Sequence, residues 1–190
     1  MSTLNRPRIY LAGPEVFLPD ALAIGAEKCR LAAEAGFEGL FPLDASLDLA
    51  GLTKAEAARR IALANEALMR SADAIIANLT PFRGASMDSG TAYEVGFMRA
   101  LGKTVLGYTN AGGDYASRAR AYRSGPQLPY DCDRAELDVE DFGLAENLMI
   151  AVAVHESGAD VESSEISGRD RMADLGGFRE CLGQLQKLMG

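Results

Sequence analysis

Ala74 to Leu79 (AIIANL) is a short, nearly continuous apolar run with an aspartate before it and a loop after it. Apolar character without alternation suits a strand covered on both faces, which a sheet achieves when crossover helices lie on either side. The flanking segments fit that arrangement. Arg8 to Ala12 (RIYLA) is an apolar strand that ends in the turn pair Gly13 and Pro14, Phe37 to Leu43 reads as a second strand, and Lys103 to Tyr108 as a fourth. Helical periodicity fills the gaps. Ala21 to Ala35 carries Leu22, Ile24, Cys29 and Leu31 and stops at Gly36. Lys54 to Ser71 follows Thr53, an N-cap whose capping box is completed by Glu56. Gly90 to Leu101 is the next helix. Strands alternating with helices predict an α/β fold with a parallel sheet wound by right-handed crossovers.

In such a sheet ligands bind beyond the carboxyl ends of the strands. Tyr10, Gly13, Asp44, the Thr80–Asp88 loop and the start of the Glu94 helix are therefore expected to converge at one rim. Further along, Asn110 to Asp141 is rich in Gly, Tyr, Pro and charge and reads as a long irregular loop or lid. A helix is expected from about Ala145 to Val154, an exposed acidic loop over Glu156 to Asp170, and a last helix over about Phe178 to Met189. No internal repeat is visible, so residues 1–190 read as a single domain.

Composition narrows the partners. The 190 residues are 48% hydrophobic, enough for one compact core, and the formal net charge is −8. That charge argues against a nucleic-acid or anionic-membrane surface, which would need clustered Lys and Arg, and makes a polyphosphate a less natural substrate than a neutral molecule. Cys29, Cys132 and Cys181 have no metal-ligand spacing and an odd count, which predicts three reduced thiols in a cytoplasmic protein. Met1 to Arg8 is polar, so no secretory signal is expected, and no apolar run is long enough to span a bilayer. His155 is the single histidine, which excludes a His-rich metal site.

The chemistry concentrates in Asp88 to Gly96 (DSGTAYEVG), which opens the helix after strand three. Asp88 suits an N-cap, and Gly90 lets a substrate approach the backbone. Glu94 falls in the first turns, where unpartnered N–H groups carry partial positive charge and are expected to keep it ionised. An ionised carboxylate beside a small-molecule cleft is what a covalent nucleophile at a sugar carbon requires.

Taken in order, IYLAGP at 9–14, FPLD at 41–44, DAIIANL at 73–79, PFRG at 81–84, DSGTAYEVG at 88–96, FGL at 142–144 and NLM at 147–149 resemble the nucleoside 2-deoxyribosyltransferase family over most of the chain. The PFRG loop and the run from Gly143 to Met149 are most similar to the purine-preferring branch. That resemblance implies a flavodoxin-like three-layer fold with a mostly parallel five-stranded sheet. It also implies a double displacement: the residue matching Glu94 attacks C1′ of a 2′-deoxynucleoside, and a second base then captures the deoxyribosyl ester with configuration retained. No metal or organic cofactor is implied. The partners are nucleosides and free bases, and the working unit is a homo-oligomer, a dimer or larger.

By the same resemblance, Tyr10 holds the nucleophile carboxylate through its hydroxyl; otherwise it is a core aromatic with its hydroxyl at the surface. Asp88 binds a sugar hydroxyl, caps the helix, or does both. Asn147 reaches the neighbouring subunit's site and holds the 5′-hydroxyl, and Met149 packs near the nucleophile there or is ordinary core. Phe17 packs on the base or in the core, Arg83 reaches the base or the lid or forms a rim salt bridge, and Asp44 caps a helix or contacts the base. Asp73 is structural. One position departs from the family. Where many members carry an aspartate that protonates the leaving base, this chain has Asn65, which can hydrogen-bond to a purine nitrogen but cannot act as a general acid. Water, Asp44 and Asp88 are then the candidate proton sources. The alternatives are an N-glycosidase of 2′-deoxynucleosides or deoxynucleotides, in which water replaces the acceptor base, and a non-catalytic nucleotide-sensing module.

Overall fold

A computed structural model describes residues 6–42, 47–125 and 138–190 of the chain, apart from the side chains of residues 169 and 170. Five strands, β1 (Arg8–Ala12), β2 (Glu38–Leu40), β3 (Ala74–Asn78), β4 (Thr104–Thr109) and β5 (Glu162–Ser163), form one sheet in the order β2-β1-β3-β4-β5. Every neighbouring pair is parallel, with Ile9 opposite both Gly39 and Ala74, and Ile75 opposite Val105. This is the doubly wound, flavodoxin-like order. The chain turns from β1 toward one edge and from β3 toward the other, so a crevice opens where β1 and β3 end.

Alternation along the strands sorts the core into two layers. Tyr10, Ala12, Ile75, Ala77 and Val105 face the side closed by α2 (Lys54–Ser71), α3 (Ser89–Ala100) and α5 (Leu148–His155), through Met69, Val95, Met98, Ile150 and Val154. Ile9, Leu11, Ala74, Ile76 and Leu106 face α1 (Ala21–Glu34) and α6 (Gly176–Met189), through Leu31, Phe178, Leu182 and Leu185. All five residues of β3 are buried, as its unbroken apolar run predicts. Thr53 caps α2 with the full capping box to Glu56, and Asp88 caps α3. Asp73 accepts a 2.8 Å hydrogen bond from the Arg8 amide and ties the start of β3 to β1, a structural role.

Four expectations are corrected. Asn110 to Asp141 is not irregular throughout: α4 (Tyr115–Arg123) runs through it, capped by Asp114, which accepts from the Ser117 amide. Its sequence carries no apolar stripe, and Ala116 is its one buried residue. The Glu156–Asp170 segment is not simply an exposed loop, because Glu162 and Ser163 pair with Tyr108 and Thr109 as the edge strand β5. The second strand stops at Leu40 rather than Leu43, and the fifth helix starts at Leu148 rather than Ala145.

Candidate active site

A cavity of about 310 Å³ opens at the β1–β3 crevice, lined by Gly13, Val16, Phe17, Pro42, Ile61, Asn65, Asp88, Gly90, Thr91 and Glu94. Its lining draws on the turn after β1, the end of the β2 segment, α2 and the first turns of α3. The described lining carries two carboxylates and no cation.

Tyr10 crosses from the sheet to α3. It is fully buried in the core, and its hydroxyl donates a 2.6 Å hydrogen bond to Glu94 Oε1. Burial first, then the charge and hydrogen bond of Glu94, push the Tyr10 pKa far above the usual phenol range, so it remains a donor. The reading of Tyr10 as a core aromatic with a surface hydroxyl is thereby replaced. Among the described residues Glu94 makes no ion pair; it is half-buried against the cavity.

The basis expected for Glu94's ionisation is also corrected. Glu94 is the sixth residue of α3, beyond the free N–H groups, and Asp88 already satisfies the amides of Gly90 and Thr91. Burial dominates and pushes the Glu94 pKa from 4.5 up to about 7; the Tyr10 hydrogen bond lowers it and the Asp88 charge raises it. Both protonation states are thus populated near neutrality, and Tyr10 is the group that favours the charged one.

Asp88 caps α3, one of the roles open to it in sequence, and also lines the cavity. Both cap hydrogen bonds, from the Gly90 amide at 2.9 Å and the Thr91 amide at 3.3 Å, go to Oδ2, which leaves Oδ1 for another donor at the cavity wall. Gly90 leaves room for the cap: a Cβ there would lie 2.8 Å from Asp88 Oδ2, so that carboxylate would have to shift. Gly13 is more constrained. Its φ is 155°, and a Cβ would lie 2.0 Å from Glu15 Oε2 and 2.8 Å from the Asn78 Cβ.

Glu15 explains that crowding. Fully buried behind the Gly13 turn, its Oε1 accepts from Lys28 Nζ at 2.6 Å, Asn78 Nδ2 at 3.0 Å and the Tyr108 hydroxyl at 2.9 Å. Lys28 is equally buried and lies over the rings of Tyr108 and Phe178. This network clamps the turn that carries Val16 and Phe17 into the lining. Sequence reasoning missed it, along with the lining residues Val16, Pro42, Ile61 and Thr91. For Ile61 the signal was present, since it lies four residues before Asn65 on one helix face.

The remaining residues divide. Asn65 lines the cavity, and its amide makes no hydrogen bond among the described residues. Phe17 is 55% exposed and stacks on Phe82, with ring centroids 5.4 Å apart, so it belongs to the rim and not the core. Arg83 sits over both rings instead of forming a rim salt bridge. Asn147 and Met149 lie away from this cavity. Asn147 caps α5, its Oδ1 accepting from the Met149 amide while Nδ2 donates to Glu140. Met149 is 72% exposed, so its reading as ordinary core fails in the isolated chain. Asp44 lies outside the described residues.

Among the described residues no group of three His, Cys, Asp or Glu is placed to hold a metal ion, and no helix is long and apolar enough to cross a membrane. Fold and site together define a doubly wound α/β protein whose crevice presents a half-buried carboxyl held by a tyrosine. Residues 9–149 match the model of the nucleoside 2-deoxyribosyltransferase family, and the chain belongs to that family. A solved 2-desoxiribosyltransferase from Leishmania mexicana is 29% identical, with a TM-score of 0.67 over 95% of this chain and 97% of its own. A conserved protein from Enterococcus faecalis V583 shares the fold, with a TM-score of 0.55 at 19% identity over 95% of this chain and 99% of its own. An uncharacterised protein of Schizosaccharomyces pombe is 39% identical over 119 residues, or 62% of this chain; the match spans 56% of that relative's length.

Proposed function

We propose that this chain transfers 2-deoxyribose between the bases of 2′-deoxynucleosides, purines above all, through an ester on Glu94. One observation carries the reading: the 2.6 Å hydrogen bond from Tyr10 to Glu94 at the wall of a cavity sized for a small ligand. In the first step Glu94 Oε2 attacks C1′ as the C1′–N bond breaks, and the bond's electron pair leaves with the base. The free Oδ1 of Asp88 accepts a hydrogen bond from a sugar hydroxyl. Asn65 donates its amide to a ring nitrogen of the departing base, and water supplies the proton that an amide cannot. In the second step a ring nitrogen of the incoming base attacks C1′ from the opposite side, its proton passes to water, Glu94 leaves as carboxylate, and two inversions give retention. The negative charge beside C1′ stabilises the oxocarbenium-like transition states on both sides.

The working unit in this reading is a dimer or larger. Asn147 at the tip of α5, with Met149 and Val152 exposed on one face of that helix, supports a surface that completes a neighbouring site. The test is to incubate deoxyinosine with and without free adenine. Deoxyadenosine is expected only in the mixture. If hypoxanthine and free deoxyribose accumulate equally in both, the chain is a hydrolase and the transferase reading fails; nucleoside binding that Glu94→Ala leaves unchanged, without turnover, would mark a sensing module instead.

A further inference from the structure

Arg83 stands apart from the other described cations. It is the one described non-glycine residue with positive φ, at 57°, a backbone region that long side chains seldom occupy. Its guanidinium carbon lies 4.6 Å from the centre of the Phe82 ring and 5.2 Å from that of Phe17, two rings stacked within 8° of parallel. Yet it forms no hydrogen bond or ion pair with any described residue. Arg118, by contrast, is tied to Glu146 and three backbone carbonyls. A strained backbone and two aromatic rings hold a charged fork of five N–H donors in place and leave those donors unused.

The neighbouring wall says what they face. Phe17 lines the cavity, and a flat ring packs a flat base, whereas Asp88 and Glu94 suit the sugar. Arg83, held over the Phe17 ring, stands at the rim of that base-packing wall without entering the cavity lining. A guanidinium can only donate, so it needs acceptors there. A 6-oxopurine offers two in a row, O6 and N7, matched to the fork. Adenine replaces O6 with an amino donor and leaves N7 alone. A 5′-phosphate is the other natural acceptor, but it would belong at the sugar end, beside two carboxylates that repel it.

We propose that Arg83 makes this a site for 6-oxopurines by donating two hydrogen bonds to O6 and N7 of hypoxanthine or guanine. The inference rests on the transferase reading for its substrate class, and it adds base selectivity that the fold does not carry. Arg83 is exposed, so its replacement leaves the core intact.

The test compares hypoxanthine and adenine as acceptors, and as free bases bound in calorimetry, for the wild type, Arg83→Ala and Arg83→Lys. The wild type is expected to favour hypoxanthine, and Arg83→Ala to lower the hypoxanthine-to-adenine ratio of kcat/KM about tenfold. Arg83→Lys keeps the charge but not the planar fork and is expected not to restore the ratio. Equal losses on both bases, or an unchanged ratio, would reduce Arg83 to rim packing and overturn the proposal. So would a loss on deoxyinosine 5′-monophosphate larger than on deoxyinosine, which would mark a phosphate contact. If no variant, wild type included, transfers deoxyribose, the transferase reading fails by itself. The ratio of dissociation constants for the two bases, which needs no turnover, then still decides for or against Arg83.

Discussion

Asp88 caps α3 six residues before Glu94, and its charge works with burial against ionisation of that carboxyl. Asp88 commits one oxygen to the helix start, and its charge adds to burial in raising the Glu94 pKa to about 7. Tyr10 opposes both from the sheet. In the proposed mechanism Glu94 must be ionised to attack, so kcat/KM is expected to rise with pH to a plateau, with its acidic limb near pH 7. Asp88→Asn keeps the cap geometry and removes the charge. It should move that limb toward lower pH, and the plateau should fall with loss of the proposed sugar contact. A limb that stays in place would show that Asp88 does not act on Glu94.

Tyr10→Phe makes the opposite shift. The ring still fills the core, but the hydrogen bond that lowers the Glu94 pKa is gone, so the limb should move toward higher pH. The plateau should also fall, by roughly ten- to a hundredfold, the scale of one lost hydrogen bond to a charged group. A pH–rate profile on the purified variant checks both.

Stability should run against activity at the same residue. A carboxyl whose folded pKa is raised above 4.5 contributes stability below that value and loses it as pH rises through about 7. Wild type is therefore handicapped above neutrality, whereas Glu94→Gln is not. The variant is expected to be more stable at pH 8, by up to roughly 3 kcal/mol, with the gap closing by pH 4. Its turnover should drop by roughly a thousandfold or more. Urea titrations at the two pH values would check the first claim.

The Glu15–Lys28 pair is expected to be worth more as a pair than its members are singly. Lys28→Met leaves the Glu15 carboxylate buried without its cation and should cost about 3–5 kcal/mol. Adding Glu15→Gln removes the stranded charge and should recover much of that loss. A double-mutant cycle in urea that proved additive would contradict the coupling.

The fold was legible where sequence patterns were local. The unbroken apolar β3, the capping box of Thr53 and Glu56 and the Asp88 cap each lie within a few residues, and each stands where expected. So does the meeting of Tyr10 with Glu94, because strand ends and helix starts share one rim in a parallel sheet. α4 was hidden because YASRARAYR has no apolar stripe, and β5 because its two residues gain strand character only from pairing with β4. The Glu15 cluster joins residues up to 93 positions apart, which no short window can register. The Glu94 pKa was misread for a related reason: helix position is visible in sequence, but the burial that outweighs it is a product of packing.

The decisive measurement is intact and peptide mass spectrometry of the chain mixed with a 2′-fluoro-arabinosyl purine nucleoside, whose fluorine slows breakdown of any ester at C1′. A mass gain of one fluorosugar, located on the peptide that carries Glu94 and absent in Glu94→Gln, is expected. Turnover of the natural nucleoside with no such adduct, or an adduct on a different residue, would contradict nucleophilic capture by Glu94.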